Sequence, residues 1–356
     1  MRAATILAGV CLGASLAGCA TGGDPMQASI DALLRDYDGD GPGASVLVAR
    51  DGEPVVRRSY GYADLEGHVR AAPRSNYRLA SVTKQFTAAA VLLLAEDGRL
   101  ELDDPLRRWL PSLPAATAPI TLRHLLTHTS GLVDYEDLMA PEATTQVHDS
   151  DVLGLLETQD RLYFAPGSDY RYSNSGYALL ALVVGKASGK NFATFLRERI
   201  FLPLGMTHTV AYEDGNSTVS DRAYGYSFED GAWRRTDQSS TSAVLGDGGI
   251  YSSIDDLAKW DAALYDDRLL DAASRELAFA VHTKTDEPDV DGYGYGWRVH
   301  GDMLWHSGET IGFRNVIVRW PQRRLTVIVL TNRNDPEPYA TARAIGRLYL
   351  DAKPPK

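Results

Sequence analysis

Hydrophobic positions in the middle of the chain recur with the spacing of α-helices. The clearest example is the i, i+3, i+4, i+7, i+8 series of one buried helix face, formed by Phe86, Ala89, Ala90, Leu93 and Leu94. This series predicts a helix over residues 81–96, which ends at Asp97-Gly98. The chain also offers candidate helices over residues 29–37, 121–127, 151–158, 175–188, 191–199, 255–265 and 339–350.

β-strands are predicted near both ends of the chain. Residues 43–50 and 53–63 flank the turn Asp51-Gly52 and predict a hairpin. Three more strands are predicted near the C-terminus, over residues 302–310, 313–320 and 324–332. Strands from both ends with helices between them imply one antiparallel sheet built from both termini, and a separate helical lobe. We therefore predict an α/β (α+β layered) fold with a site in the cleft between its two parts.

The composition is that of a large globular protein. The 356 residues, 44% of them hydrophobic and 23% charged, are ample for a large core, in one domain or in two intimate ones. We place the folded part at residues 28–352, with 28–80 and 290–352 forming the sheet part and 81–289 the helical lobe. The formal net charge of −11 and the absence of a basic stripe argue against nucleic acid as a partner.

The N-terminal residues are set apart from this fold. Residues 1–18 combine a positive start, a short apolar stretch and small residues at the exit, which is typical of a secretory signal peptide. The Leu-Ala-Gly-Cys sequence that ends at Cys19 resembles the bacterial lipobox, which implies lipidation of Cys19 and a tether over residues 19–27. We expect the protein on the periplasmic side of the envelope, anchored in the outer membrane because Ala20 rather than Asp follows the cysteine. Cys11 is the only other cysteine, so none remains for a disulfide or a cysteine-ligated metal.

Ser81 and Lys84 stand at the start of the helix predicted over residues 81–96. Because they are three residues apart, both side chains project from the same side of the first turn. A serine at a helix start is an ordinary cap, so the Ser-x-x-Lys spacing alone is a weak signal. In the functional alternative, a partly desolvated lysine beside the serine takes its proton, and the N–H groups of the helix N-terminus stabilise an oxyanion.

Two other motifs place polar groups next to apolar segments. Tyr172-Ser173-Asn174 precedes an apolar helix, where a serine or an asparagine would ordinarily be a cap. His306-Ser307-Gly308 lies on a predicted strand, in which a glycine usually marks a bulge or the close approach of another backbone. A single histidine on a strand is more often structural than functional. Each motif by itself is therefore a weak signal.

In this order, the three motifs resemble the signature arrangement of the penicillin-recognising serine hydrolases. The segments 120–132, 164–184, 200–209 and 246–260 are similar to connecting segments of that family, so the resemblance covers residues 40–335 almost end to end. Tyr172 and its surroundings are similar to one branch of the family, which contains class C β-lactamases, DD-peptidases and family VIII esterases.

The resemblance implies a role for each motif residue. Ser81 is the expected nucleophile, and Lys84 and Tyr172 share the expected role of general base. The expected substrate-binding residues are Asn174, which also orients the lysine, and His306, Ser307 and Gly308. The backbone N–H groups of Ser81 and Glu309 are expected to form the oxyanion hole.

His306 departs from the family pattern, in which a lysine begins the third motif. A lysine at this position faces the carboxylate of a β-lactam or of a C-terminal D-alanine, whereas a histidine with a pKa of about 6.5 is mostly neutral at pH 7. We therefore expect a periplasmic serine hydrolase of small peptide, ester or β-lactam substrates, with carboxypeptidase or esterase activity favoured over β-lactamase activity. The substitution His306→Lys is expected to improve the turnover of carboxylate-bearing substrates.

Other interpretations have less support in the sequence. A catalytically silent lipoprotein of the same fold, which binds cell-wall fragments as a sensor, is the alternative outside the enzymes. His124 and His128 are spaced like a zinc pair, but no glutamate lies beside them as in the zincins, and we expect no metal and no cofactor. The Gly-x-Ser-x-Gly elbow of the α/β-hydrolases is absent around Ser81, and residues 246–253 lack the lysine and spacing of a phosphate-binding loop.

Overall fold

The computed structural model describes residues 25–140 and 142–351. Its strands are β1 (Ala44–Arg50), β2 (Glu53–Tyr60), β3 (Tyr62–Asp64), β4 (Val69–Arg70), β5 (Tyr77–Arg78), β6 (Val210–Ala211), β7 (Tyr226–Glu229), β8 (Ala232–Arg235), β9 (Ile250–Ser252), β10 (Gly292–Tyr293), β11 (Arg298–His300), β12 (Met303–Thr310), β13 (Phe313–Trp320) and β14 (Leu325–Thr331). Seven of them form one antiparallel sheet in the order β10-β11-β12-β13-β14-β1-β2. Strands from both ends of the chain are therefore neighbours, as the sequence predicts.

The α-helices lie mostly between the two groups of strands. They are α1 (Pro25–Leu34), α2 (Lys84–Glu96), α3 (Leu106–Trp109), α4 (Leu122–Leu126), α5 (Asp149–Glu157), α6 (Asn174–Ser188), α7 (Phe192–Leu196), α8 (Leu245–Gly248), α9 (Ile254–Ala263), α10 (Ala272–Phe279) and α11 (Tyr339–Leu350). The predicted α/β fold with a sheet built from both termini is confirmed.

Strand β14, inside the seven-stranded sheet, contributes residues to two hydrophobic cores. All seven of its residues are buried, because both faces of the sheet are covered. Val327 and Val329 belong to the core beneath α1 and α11, and Ile328 and Leu330 to the core that contains α2. This alternation follows from the two-residue period of a strand.

Several short elements were not predicted from the sequence. Three helices, α3, α8 and α10, and the strands β4, β10 and β11 fall outside the predicted elements. Strands β6 and β9 of the predicted helical lobe form a three-stranded sheet with β5, which belongs to the predicted sheet part, and β7 pairs with β8 within the lobe. These strands are two to four residues long, too short to show a periodic pattern.

Helix α2 differs from its prediction in one respect. The sequence predicts a single buried face, but every residue from Lys84 to Leu94 is buried. The reason is its position inside the molecule, where α6, α7, α8 and α10 pack around it. A helix buried all round is expected in the centre of a large protein. Lys84, at its first residue, is therefore enclosed by protein.

No helix within the two described ranges is long and apolar enough to cross a bilayer. The predicted signal peptide over residues 1–18 and the predicted lipidation site Cys19 lie outside the described residues. The domain limits at residues 28 and 352 stay predictions.

Candidate active site

Ser81 lies on a tight turn that leads from β5 into α2. The turn is the 3₁₀-helix Ala80–Thr83, and Ala80 has a φ of 48°, a conformation that non-glycine residues rarely adopt. Two hydrogen bonds tie it to the neighbouring strand β9. The N–H of Leu79 donates to the carbonyl of Ile250 at 2.8 Å, and the N–H of Ile250 donates to Thr83 Oγ1 at 3.3 Å. The sheet thus fixes the position of the serine from both sides of the turn.

Lys84 has no exposed surface, and its amine has three polar neighbours. Nζ lies 3.0 Å from Ser81 Oγ, 2.8 Å from Asn174 Oδ1 and 3.0 Å from the main-chain oxygen of Asp247. The amide and main-chain oxygens are acceptors only, so each takes one hydrogen of the amine. A neutral amine then has its lone pair left for the third neighbour, the serine hydroxyl. The arrangement can therefore accept the proton of Ser81.

Asn174 is held by groups that the sequence analysis did not identify. Its Nδ2 donates to Glu136 Oε1 at 3.1 Å, and its N–H donates to Asp134 Oδ2 at 2.8 Å. Because Nδ2 has a carboxylate acceptor, the amide oxygen is the atom that faces Lys84. The capping residue of α6 is Ser173, whose Oγ accepts the N–H of Gly176. The asparagine therefore orients the lysine, while the serine beside it is a cap.

Asp247 is another residue that the sequence analysis missed. It lies on α8, and its side chain is only 6% exposed. Tyr135 donates its hydroxyl to Asp247 Oδ2 at 3.0 Å. Burial raises the pKa of Asp247 to about 7, although the charge of Lys84 opposes this shift. The one available sequence signal was its place in the segment 246–260, which is similar to a connecting segment of the family.

Asp149 is a further buried carboxylate, and it holds the start of α8. Asp149 accepts the N–H groups of Leu245 and Gly246, each at 3.0 Å. Burial raises the pKa of Asp149 to about 6, and these two hydrogen bonds oppose the shift. The short helix α8, whose Asp247 main-chain oxygen accepts a hydrogen bond from Lys84, is thus fixed by a side chain on α5.

Tyr172 is placed next to the lysine through its ring. The centroid of the ring lies 4.9 Å from Lys84 Nζ and 5.1 Å from the guanidinium carbon of Arg298. The ring of His128 stacks on it at 4.3 Å between centroids. The buried Tyr172 hydroxyl has no hydrogen-bond partner among the described residues. The structure brings this residue to the site without joining it to Ser81 or Lys84 by a hydrogen bond.

His306 is placed differently from its expected role. It is fully buried, with Nδ1 2.6 Å from the carbonyl of Ser307 and Nε2 2.9 Å from the Tyr293 hydroxyl. The Nη1 atom of Arg298 also lies 3.5 Å from Nε2. Burial, together with the charge of Arg298, holds the pKa of His306 well below its usual range. The imidazole is therefore neutral and already bonded within the protein, which does not support the expected contact with a substrate carboxylate.

Gly308 brings β12 against the turn that carries Ser81. A Cβ atom at this position would lie 2.0 Å from the carbonyl oxygen of Leu79, so no other residue fits without displacing the backbone. Strand β11 pairs with residues Met303–Trp305 of β12. The following residues of β12 lie next to the turn that carries Ser81. Ser307 is partly buried on the same stretch, and Glu309 is exposed.

Three of the predicted site residues line one small cleft. Ser81, Asn174 and Glu309 form part of its wall, together with Asp247 and Glu136. A larger cavity of about 400 Å³, which Asp149 and Leu245 border, contains none of the residues predicted from the sequence. The catalytic residue types are therefore found at the smaller cleft.

The two histidines considered as a zinc pair have structural partners. His124 Nδ1 accepts the N–H of Thr121, and His128 Nδ1 accepts the N–H of Ser173. In the described residues, no group of three or more His, Cys, Asp or Glu side chains is placed to hold a metal ion. His128 instead positions the segment that carries Tyr172 and Asn174.

Comparisons with known proteins agree with this geometry. The family described as Beta-lactamase matches residues 30–351. Penicillin-binding protein 4* of Bacillus subtilis is 34% identical over 319 residues, which cover 84% of this chain and 70% of that protein. Protein flp of Staphylococcus aureus is 29% identical over 333 residues, 86% of this chain, and the chain spans only 63% of its length.

Solved structures show the same relationship. A D-amino acid amidase from Ochrobactrum anthropi SV3, solved in complex with L-phenylalanine amide, superposes with a TM-score of 0.79 at 26% sequence identity. The superposition covers 92% of this chain and 98% of the amidase. The resemblance seen in the three motifs is thereby confirmed. The chain belongs to the beta-lactamase family and has the fold of the penicillin-recognising serine hydrolases.

Proposed function

We propose that the protein hydrolyses amide or ester bonds through an acyl-enzyme formed on Ser81. The observation that carries this proposal is the environment of Lys84, whose Nζ lies 3.0 Å from Ser81 Oγ and bonds two obligate acceptors. A serine is a weak nucleophile until a neighbouring base takes its proton. The family membership and the amidase among the structural relatives support the same reaction class.

In the proposed acylation step, Ser81 Oγ attacks the substrate carbonyl and its proton passes to Lys84. The backbone N–H groups of Ser81 and Glu309 stabilise the resulting oxyanion. The carbon–nitrogen or carbon–oxygen bond then breaks, and the leaving amine or alcohol takes up a proton from Lys84, with Tyr172 as the second candidate. Water attacks the acyl-Ser81 ester with help from the same base, and Ser81 is restored.

The proposed location is the periplasmic face of the envelope, through a lipid on Cys19. The support is the sequence of residues 1–19 alone. Metabolic labelling with a fatty acid tests it: the parent chain should be labelled, and Cys19→Ala should not. Labelling that survives Cys19→Ala, or a parent that takes up no lipid, would contradict the anchor and leave the hydrolase proposal untouched.

The test of the reaction is covalent capture of the acyl-enzyme. The purified protein is mixed with an activated aryl ester or a penicillin, quenched over time, and mapped by peptide mass spectrometry. We expect an adduct on Ser81, and Ser81→Ala should lose turnover by about 10⁴-fold or more. Ser150→Ala, which removes an exposed serine hydroxyl on α5, is the matched control and should keep full activity.

Two outcomes would contradict the proposal. Turnover in Ser81→Ala at a tenth of the parent rate would show that the nucleophile is another residue. The absence of an adduct with both reagents, in a protein that binds cell-wall peptides tightly, would favour a silent binding protein of the same fold.

A further inference from the structure

Asp247 presents an unpartnered carboxylate oxygen to the cleft that contains Ser81. The side chain is 6% exposed, and its Oδ2 atom accepts the hydroxyl of Tyr135 at 3.0 Å. The second oxygen, Oδ1, has no hydrogen-bond partner among the residues that the structure describes. Unlike the enclosed hydroxyl of Tyr172, this oxygen keeps accessible surface, and Asp247 lines the cleft. A ligand in the cleft can therefore reach Oδ1.

The charge of this carboxylate is not matched inside the protein. Lys84 bonds the main-chain oxygen of Asp247 rather than its side chain. Over the described ranges, no lysine, arginine or histidine nitrogen lies within 4.0 Å of the Asp247 carboxylate. Burial raises the pKa of Asp247 to about 7, because a buried carboxylate without an adjacent cation is costly. A cation from outside the protein would therefore stabilise the ionised form.

The other charges that a ligand can meet in this cleft are also negative. Glu136 and Glu309 line it, and both are exposed. Arg78 lines it as well, but its Nε and Nη1 atoms are enclosed and its Nη2 already donates to the carbonyl of Ser242. Lys84 has no exposed surface. The accessible charge of the cleft is therefore that of its carboxylates.

This charge selects one class of substrate group. A cleft lined by one sign of charge attracts ligands of the opposite sign and repels those of the same sign. In esters and amides of amino acids, the cation next to the scissile carbonyl is a protonated amino group. It has three N–H donors, one of which can form a charge-assisted hydrogen bond to Asp247 Oδ1. His306, where the sequence predicted a contact with a carboxylate, is neutral and bonded to Tyr293.

We propose that the cleft binds a protonated amino group of the substrate, with Asp247 Oδ1 as its acceptor. This inference rests on the proposed acyl-enzyme function and specifies the substrate class: esters and amides of amino acids or peptides with a free amino group near the scissile bond. Asp247 is the specificity-determining residue. Glu136 and Glu309 attract the ammonium group more weakly, because water and salt screen exposed charges.

The test compares phenyl esters that differ only in the charge of one group. The phenyl esters of D-alanine and L-alanine are paired with that of isobutyrate, and the phenyl ester of β-alanine with that of butyrate. In each pair an ammonium group replaces a methyl group of similar size. Because the ammonium group also activates the carbonyl, each kcat/KM is divided by the rate constant for hydroxide hydrolysis of the same ester. We expect the parent to prefer the ammonium ester in at least one pair at neutral pH.

Variants then assign this preference to Asp247. Asp247→Asn keeps the shape and an acceptor for Tyr135 but loses the charge, so it should lower the ratio of ammonium to neutral ester by about ten- to hundred-fold. Glu136→Gln and Glu309→Gln should each lower the ratio by less than about fivefold, because exposed charges contribute less. Asp149→Asn is the matched control, since this buried carboxylate also bonds α8 but does not line the cleft, and the ratio should not change.

The outcomes separate this inference from the proposed function. A parent that hydrolyses the neutral esters and shows no preference for the ammonium esters would overturn the inference, whether or not the variants fold. An unchanged ratio in Asp247→Asn would overturn the role of Asp247, and an equal fall in Asp149→Asn would show an effect on the structure of α8 instead. A parent that hydrolyses none of the esters and leaves Ser81 unacylated would refute the hydrolase function itself.

Discussion

Asp247→Asn should change the pH dependence of stability in a defined direction. The side chain is 6% exposed and accepts the Tyr135 hydroxyl, and burial raises its pKa from 3.8 to about 7. In the unfolded chain the carboxyl group loses its proton at about pH 4. Between these two values the folded protein holds a proton that the unfolded chain has released. The stability of the parent should therefore fall as the pH rises from about 4 to about 7, and then level off.

The size of this effect follows from the difference in pKa. About 3 pKa units, at 1.36 kcal/mol for each unit, correspond to a loss of about 4 kcal/mol across the whole window. Asparagine has nearly the same shape and keeps an oxygen that can accept the Tyr135 hydroxyl, but it cannot ionise. Relative to the parent, Asp247→Asn should therefore gain about 3 kcal/mol of unfolding free energy between pH 5 and pH 8.

Urea denaturation of the purified proteins at a series of pH values measures this difference. Asp302→Asn, which removes an exposed carboxylate in a turn, is the control and should differ from the parent by a nearly constant amount. A constant difference for Asp247→Asn as well would refute the reasoning, because it would show that the buried carboxyl group does not hold a proton in the folded protein.

Three further substitutions test the surroundings of the site. Gly308→Ala forces a Cβ to within 2.0 Å of the Leu79 oxygen and should slow acylation of Ser81 by aryl esters at least a hundredfold; in Gly154→Ala, whose Cβ meets nothing within 4 Å, the rate should not change. His306→Lys would bury a second cation where Arg298 already lies 3.5 Å from the ring, so it should lower the melting temperature and fail to improve carboxylate-bearing esters, and an improvement would contradict this. Asp261→Asn leaves Arg319 buried without its anion and should cost about 3–5 kcal/mol in urea denaturation, whereas a cost below about 1 kcal/mol would show that the pair is dispensable.

The sequence by itself determined the fold class and the candidate catalytic residues. The strands predicted over residues 313–320 and 324–332 lie in the sheet, and the helix predicted over 339–350 has those bounds in the structure. These elements could be predicted because each is long enough for its own residues to show a pattern of apolar positions. The Ser81–Lys84 pair could also be found from the sequence, since a spacing of three residues places both side chains on one side of a helical turn.

Local patterns were less informative about burial. Helix α2 carries a periodic apolar series, yet the structure buries its other faces as well. The smaller strands, such as Tyr77–Arg78 and Val210–Ala211, exist because their backbones find partners in β9. A two-residue strand has no period of its own, so only the assembled fold defines it.

Only the tertiary structure decided which atoms surround Lys84 and which charges lack a partner. The amine of Lys84 meets Asn174, 90 residues away, and the main chain of Asp247, 163 residues away. The same long-range packing encloses His306 and leaves two nitrogen atoms of Arg78 without partners in the described residues. Whether a polar group is satisfied depends on its distance to every other group in the folded chain, and sequence spacing does not contain that distance.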